Sequence, residues 1–117
     1  MSRPISTLNI LGVSYDVIVE TPEENSKLRN ADGLCEIFAK QLIINDSDRH
    51  DVDAWSNMNE YYQKVLRHEI FHAILAECGA SKYYEDEDLV ELLALLYPRI
   101  EKIMHEAKKI GDKINAV

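Results

Sequence analysis

The chain has 117 residues, of which 46% are hydrophobic and 29% are charged, a composition typical of one globular domain spanning residues 1–117. Its net charge of −8 argues against nucleic acid as a partner, because phosphate contacts require clustered lysine and arginine. The apolar stretches are too short for a membrane span or a signal peptide, and two cysteines form no disulfide framework, so a cytoplasmic location is expected.

Short β-strands are predicted in the first part of the chain. Residues 8–20 alternate apolar and polar side chains with the period of a half-buried strand. Two further strands, over residues 34–38 and 41–45, are expected on either side of a tight turn near Ala39. Between these segments, Thr21 and Glu24 have the spacing of a capping box, which predicts a short helix that ends near Gly33.

Helices are predicted over most of the remaining chain. Apolar residues recur at steps of three and four over residues 53–78, and Gly79 is suited to end this helix. The second half of the helix is apolar nearly all round, so it is expected to be buried. A second helical region begins near Asp86, where Pro98 is expected to kink or divide it, and residues 99–117 form an amphipathic helix.

The segment VLRHEIFHAIL places two histidines and a glutamate in the buried half of the first helix. His68 and His72 are four residues apart, so they point in the same direction, about 40° apart, and can bind one metal ion. Glu69 can reach a water beside that ion without being a ligand, and this is the HExxH pattern of zinc peptidases. Burying the three side chains without a cation would be costly, which disfavours the alternative of a metal-free helical core.

A catalytic zinc site needs a third protein ligand and an open position for water. Glu91 is the only charged residue in LVELLALLY, and a carboxylate among apolar neighbours should be paired or bound to a metal. Glu91 is therefore preferred to Glu87, which belongs to an acidic run that water can solvate. A salt bridge at a helix boundary is the alternative role for Glu91.

The segments ADGLCEIFAKQLIIN, VLRHEIFHAILAECG and DEDLVELLALLY resemble the gluzincin-type metallopeptidases, and they are most similar to the small ImmA/IrrE-like proteins of phages and mobile elements. The resemblance covers residues 31–97. It implies an α+β fold, a minimal zincin in which a short antiparallel sheet of about three strands packs on the HExxH helix and a following glutamate helix. It also implies one zinc ion bound by His68, His72 and Glu91, with Glu69 as the base.

The expected function is a zinc metalloendopeptidase that acts on a protein or peptide substrate. Glu69 would serve as the general base, and the substrate would lie extended along an edge strand, for which Gln41–Asn45 is the candidate. The alternative is a zinc-holding module that binds a regulatory protein without cutting it, although a structural site has no need of a base at position 69. Four tyrosines are candidates for stabilising the transition state, although structural roles are more common for such residues: Tyr62, Tyr83, Tyr84 and Tyr97.

Overall fold

A computed structural model of the chain describes residues 2–46, 58–80 and 82–117. These residues form an α+β fold, as expected, with a four-stranded sheet, a short 3₁₀ helix and two α-helices. In chain order the strands and α-helices are β1 (Arg3–Ile10), β2 (Val13–Glu20), β3 (Gly33–Glu36), β4 (Gln41–Asn45), α1 (Met58–Glu77) and α2 (Glu87–Asn115).

The sheet has the strand order β1-β2-β4-β3 and is mixed, whereas a short antiparallel sheet of about three strands was expected. β1 pairs with β2 and β3 pairs with β4 in antiparallel fashion, but β2 and β4 are parallel. The prediction that Gln41–Asn45 is an edge strand is wrong, because β4 lies between β2 and β3. The edges of the sheet are β1 and β3.

The β-rich segment predicted over residues 8–20 is divided by a tight hairpin turn. Leu11 and Gly12 both have positive φ angles, 53° and 91°, as a two-residue type I′ turn requires. The side chain of Asn9 closes the turn by accepting a hydrogen bond from the Gly12 amide at 2.7 Å. β1 extends back to Arg3, and most of its residues are exposed, so there was little apolar alternation by which to predict its first half.

The helix predicted between Thr21 and Gly33 is replaced by a turn and a 3₁₀ helix, Ser26–Asn30. The capping box itself forms, because the Thr21 amide donates to Oε1 of Glu24 at 2.9 Å and the Glu24 amide donates to Oγ1 of Thr21 at 3.3 Å. The chain then becomes extended at Asn25, whose side chain caps the 3₁₀ helix. A capping box therefore formed here without starting an α-helix.

The core lies between the sheet and α1. Tyr15, Val17 and Leu42 from the sheet are buried with Ala73 of α1, and half-buried apolar side chains of α1 surround this cluster. α1 ends at Glu77, and Gly79 follows with a φ of 86°, in agreement with the predicted end of the helix. The predicted start of this helix near Asp53 lies outside the described residues.

α2 runs as one continuous helix through Pro98, so the proline does not divide it. Its first part packs on α1 through the buried residues Val90 and Ala94, and the rings of Phe71 and Tyr97 lie 6.0 Å apart. From residue 99 onward every residue is exposed. None of the helices that the structure describes is both long and apolar enough to cross a membrane.

Gly33 marks the closest approach of β3 to α1. A Cβ atom at this position would lie 2.7 Å from Cγ1 of Val65, 3.1 Å from Cγ of Glu69 and 3.1 Å from the carbonyl oxygen of Ile43. Only glycine therefore lets β3 pack this closely beside Glu69.

We expect Gly33→Ala to lower the free energy of unfolding by about 1–3 kcal/mol, because the added methyl group overpacks the contact between strand and helix. Chemical denaturation would measure this loss. Gly111→Ala is the matched control, because a Cβ atom there meets open space and alanine favours the helix. Equal stability of the Gly33→Ala variant and the wild type would contradict the close packing at β3.

Candidate metal centre

The two histidines of the HExxH segment lie side by side on α1, where the helix faces the beginning of α2. Their ring centroids are 5.0 Å apart. The His72 side chain is 9% exposed and that of His68 is 19% exposed. Both imidazoles are thus largely shielded from water, and each has polar partners from the region that follows α1.

Each histidine uses its Nδ1 atom to contact an oxygen atom outside α1. Nδ1 of His72 contacts the backbone carbonyl of Tyr84, and Nδ1 of His68 lies 2.8 Å from Oε2 of Glu91. A carbonyl oxygen accepts a hydrogen bond, as does an ionised carboxylate, so these contacts favour a proton on Nδ1. That tautomer leaves the Nε2 lone pair of each ring available to bind a metal.

The Nε2 atoms of both histidines meet the carboxylate of Glu87. Oε2 of Glu87 is 3.0 Å from Nε2 of His68, and Oε1 is 3.0 Å from Nε2 of His72. One ligand atom from each of these three residues lies within 4.8 Å of the others. Two imidazole nitrogens and a carboxylate oxygen form a donor set that suits a divalent transition metal such as zinc. The three residues therefore form a possible metal-binding triad.

The start of α2 fixes the position of Glu87. The side chain of Asp86 caps this helix by accepting a hydrogen bond from the Leu89 amide at 3.0 Å. Glu87 is consequently the first residue of the helix, and Glu91 lies one turn further along on the same side. Glu87 contacts Nε2 of His68, the atom that faces the same carboxylate as Nε2 of His72, whereas Glu91 contacts Nδ1 on the other side of the ring. Of the two glutamates, only Glu87 therefore belongs to the triad.

The surroundings of Glu91 differ from those expected. Its side chain is 44% exposed, and the neighbouring leucines Leu92 and Leu95 are 52% and 54% exposed. The apolar run LVELLALLY therefore does not enclose Glu91 on every side. Its carboxylate is nevertheless paired, because it contacts the imidazole of His68.

Glu69 is the buried acid of the site. It is 6% exposed, although it lies on a helix beside two polar histidines. Burial raises the pKa of its carboxyl group to about 7; the neighbouring His68 opposes this rise, and the charge of Glu87 adds to it. A carboxyl group in this range can exchange a proton near neutral pH.

A cleft of about 600 Å³ brings the predicted site residues together between α1, β3 and the start of α2. His68, Glu69, His72 and Glu91 all line it, as does Glu87. The opposite wall is formed by the edge strand β3 and the residues before it. Further lining residues are Asn30, Ala31, Asp32, Gly33, Leu34, Cys35, Tyr61, Lys64, Val65, Tyr84 and Glu85.

Among the four tyrosines considered from the sequence, Tyr84 lines the cleft. The hydroxyl group of Tyr62 donates to Asp46 at 3.1 Å, and that of Tyr97 donates to Glu101 at 2.6 Å, so both have structural partners. Tyr83 is 42% exposed. Tyr61 also lines the cleft, although it was not among the candidates.

The carbonyl of Tyr84 is a part of the site that sequence reasoning missed. Every residue has a backbone carbonyl group, whatever its side chain. No pattern of residue types could therefore have identified this hydrogen-bond acceptor. Gly33 was also missed as a site residue, since it was interpreted as the end of a helix. A glycine that opens a predicted strand was the available indication that another element approaches closely there.

Comparison with known proteins gives no relative: no family model matches the chain, and no curated protein or solved structure matches it.

Proposed function

We propose that the protein is a zinc-dependent endopeptidase of the ImmA/IrrE-like type, acting on protein or peptide substrates. The observation that carries the proposal is the orientation of the two imidazoles. Both turn Nε2 towards the same carboxylate, while Nδ1 is held by the Tyr84 carbonyl or by Glu91. Histidine ligands of zinc are commonly oriented in this way by a second hydrogen-bonding partner.

We assign the three zinc ligands to His68, His72 and Glu87, which revises the preference for Glu91 drawn from the sequence. The reason is geometric, because the carboxylate of Glu87 contacts both Nε2 atoms and that of Glu91 contacts Nδ1 of His68. Glu91 then orients the imidazole of His68 through its contact with Nδ1. Two histidines with one glutamate are a known donor set of catalytic zinc sites.

The chain's own residues supply the proton transfer in this proposal. A bound zinc ion would lower the pKa of water towards about 7 and polarise a carbonyl group. Glu69 accepts a proton from the attacking water and delivers it to the nitrogen of the departing amine. Its buried position, at the wall of the cleft and beside the triad, suits a proton carrier that is not itself a ligand.

The substrate is proposed to lie along β3. This strand is an edge of the sheet, and Gly33, Leu34 and Cys35 line the cleft opposite the histidines. An extended peptide can pair with the backbone of an edge strand, which gives binding that tolerates many sequences. This assignment replaces the earlier candidate, β4, which is an interior strand.

Metal content and peptide cleavage test the proposal together. Protein purified without a histidine tag should contain about one zinc ion per chain, and His68→Ala should contain little. A chelator should lower the melting temperature of the wild type, because bound metal stabilises the folded state by mass action. His105→Ala is the matched control, since His105 lies in the exposed part of α2. Equal zinc in the wild type and in His68→Ala would refute the metal site.

Cleavage is measured with a library of peptides derived from a cellular proteome. The zinc-loaded wild type should generate new peptide termini, and chelated protein should not. If zinc binds through His68 and His72 but no peptide is cut, the zinc-holding interaction module is favoured over the peptidase.

A further inference from the structure

The final part of α2 exposes an apolar face. Residues 99–117 are all exposed, and Ile103, Ile110 and Ile114 are 62%, 58% and 69% exposed. A helix of this length is only marginally stable in water without packing, because most helical stability in proteins comes from burying an apolar face. The segment 99–117, here called the tail, therefore lacks the burial that would stabilise it as a helix.

The apolar residues of the tail follow the heptad repeat of a coiled coil. They recur at alternating steps of three and four, a period of 3.5 residues, which corresponds to the core positions a and d. These residues are Ile100, Ile103, Ala107, Ile110, Ile114 and Val117. The overlap available to a partner helix is about 27 Å, at 1.5 Å per residue.

The charges beside the apolar stripe distinguish among possible pairings with a second copy. The g positions of the repeat are Arg99, Glu106 and Lys113, and the e positions carry no charge. In an antiparallel pair that sets Ile100 opposite Val117, Glu106 of each helix faces Lys113 of the other, so two ion pairs form.

Other alignments lose this complementarity. A shift by one heptad sets Glu106 against Glu106 and Arg99 against Lys113, which are repulsive contacts. A parallel pair sets Arg99 and Glu106 against uncharged e positions, so it forms no ion pair across the interface. Glu106 also contacts Lys109 within the helix at 3.6 Å, but both side chains are about 60% exposed, and such a pair contributes little.

We propose that the tail is a dimerisation element that pairs with the tail of a second copy in antiparallel orientation, with Ile100 opposite Val117. Ala107 then packs against Ile110 of the other copy near the two-fold axis, and the apolar faces of both tails are buried. The small side chain at position 107 allows the helices to approach closely at their crossing. The proposal concerns a surface away from the metal centre and does not depend on zinc or on peptidase activity.

The charge distribution favours a second copy over a membrane surface as the occupant. The tail has five basic and three acidic residues, a formal charge of +2, which leaves −10 on residues 1–98 out of the total of −8. An anionic membrane attracts basic segments but would repel the strongly acidic remainder of the molecule. A second tail requires no such approach and supplies both an apolar face and opposite charges.

Charge reversal in the full chain tests the pairing. Sedimentation velocity over a range of concentrations should show a dimer for the wild type. Glu106→Lys or Lys113→Glu converts two attractive pairs into two repulsive ones, which should weaken dimerisation by about tenfold or more. The double variant, Glu106→Lys with Lys113→Glu, should restore the affinity of the wild type. Lys108→Glu is the matched control, because position 108 lies outside the a, d, e and g positions.

Three results would overturn the proposal. A wild type that stays monomeric at every concentration excludes the dimer. A double variant that is no tighter than the single variants excludes the antiparallel pairing. Binding of a monomer to anionic lipid vesicles, abolished by Ile110→Asp, would assign the apolar face to a membrane. Circular dichroism, measured on each variant, checks that the substitutions leave the fold intact.

Discussion

Glu69→Gln is expected to lower peptide hydrolysis by about 10²–10⁴-fold while leaving zinc binding and folding in place. The glutamate is buried at the wall of the cleft, and it is not among the three residues whose ligand atoms converge. An amide of the same shape fills the same space but cannot accept the proton of water. The loss should appear in the rate of cleavage at saturating peptide, with zinc content and melting temperature measured on the same preparations.

Asp88→Asn is the matched control for this experiment. It removes one carboxylate from the first turn of α2, close to the site in sequence, but Asp88 is exposed and does not line the cleft. Its activity should equal that of the wild type. If Glu69→Gln cleaves peptides as fast as the wild type, Glu69 is not the base.

Glu87→Gln should weaken zinc binding by more than Glu91→Gln does. An amide is a poor substitute for a carboxylate ligand, so the loss of Glu87 removes one of the three protein ligands. Glu91 acts through His68, and loss of such an orienting partner typically costs about 10–100-fold in metal affinity. Competition with a zinc-binding dye would give both affinities.

The same pair of variants decides between the two ligand sets. A greater loss in Glu91→Gln would support the set drawn from the sequence, with Glu91 as the third ligand. A structure of the zinc-bound protein provides an independent measurement, since a ligating Glu87 oxygen should lie about 2.0–2.2 Å from the ion.

Local sequence patterns were sufficient to predict the α+β class, the bounds of β4 and the location of the HExxH segment on a helix. The period of apolar residues and the turn-forming residues carry this information within a few positions. The direction of β4 relative to β2 depends on how the chain returns past β3, which is a long-range property. It could not be derived from either strand alone.

The surroundings of Glu91 show where reasoning from sequence neighbours fails on a helix. Glu91 was judged by the leucines beside it in the chain, yet successive residues on a helix point in different directions. Leu92 and Leu95 face solvent, while the carboxylate of Glu87, from an acidic run, meets both histidines. Which glutamate of α2 reaches Nε2 of both histidines depends on where α2 begins relative to α1, and Asp86 caps that beginning.

The contact between His72 and the carbonyl of Tyr84 bears on how the site can vary among related proteins. Every residue type provides the same backbone carbonyl, so residue 84 can be substituted without loss of this contact. An inserted or deleted residue between the two helices would instead carry the carbonyl away from the imidazole. The site therefore constrains the length and path of the segment between α1 and α2. An alignment that compares only side-chain types would overlook this constraint.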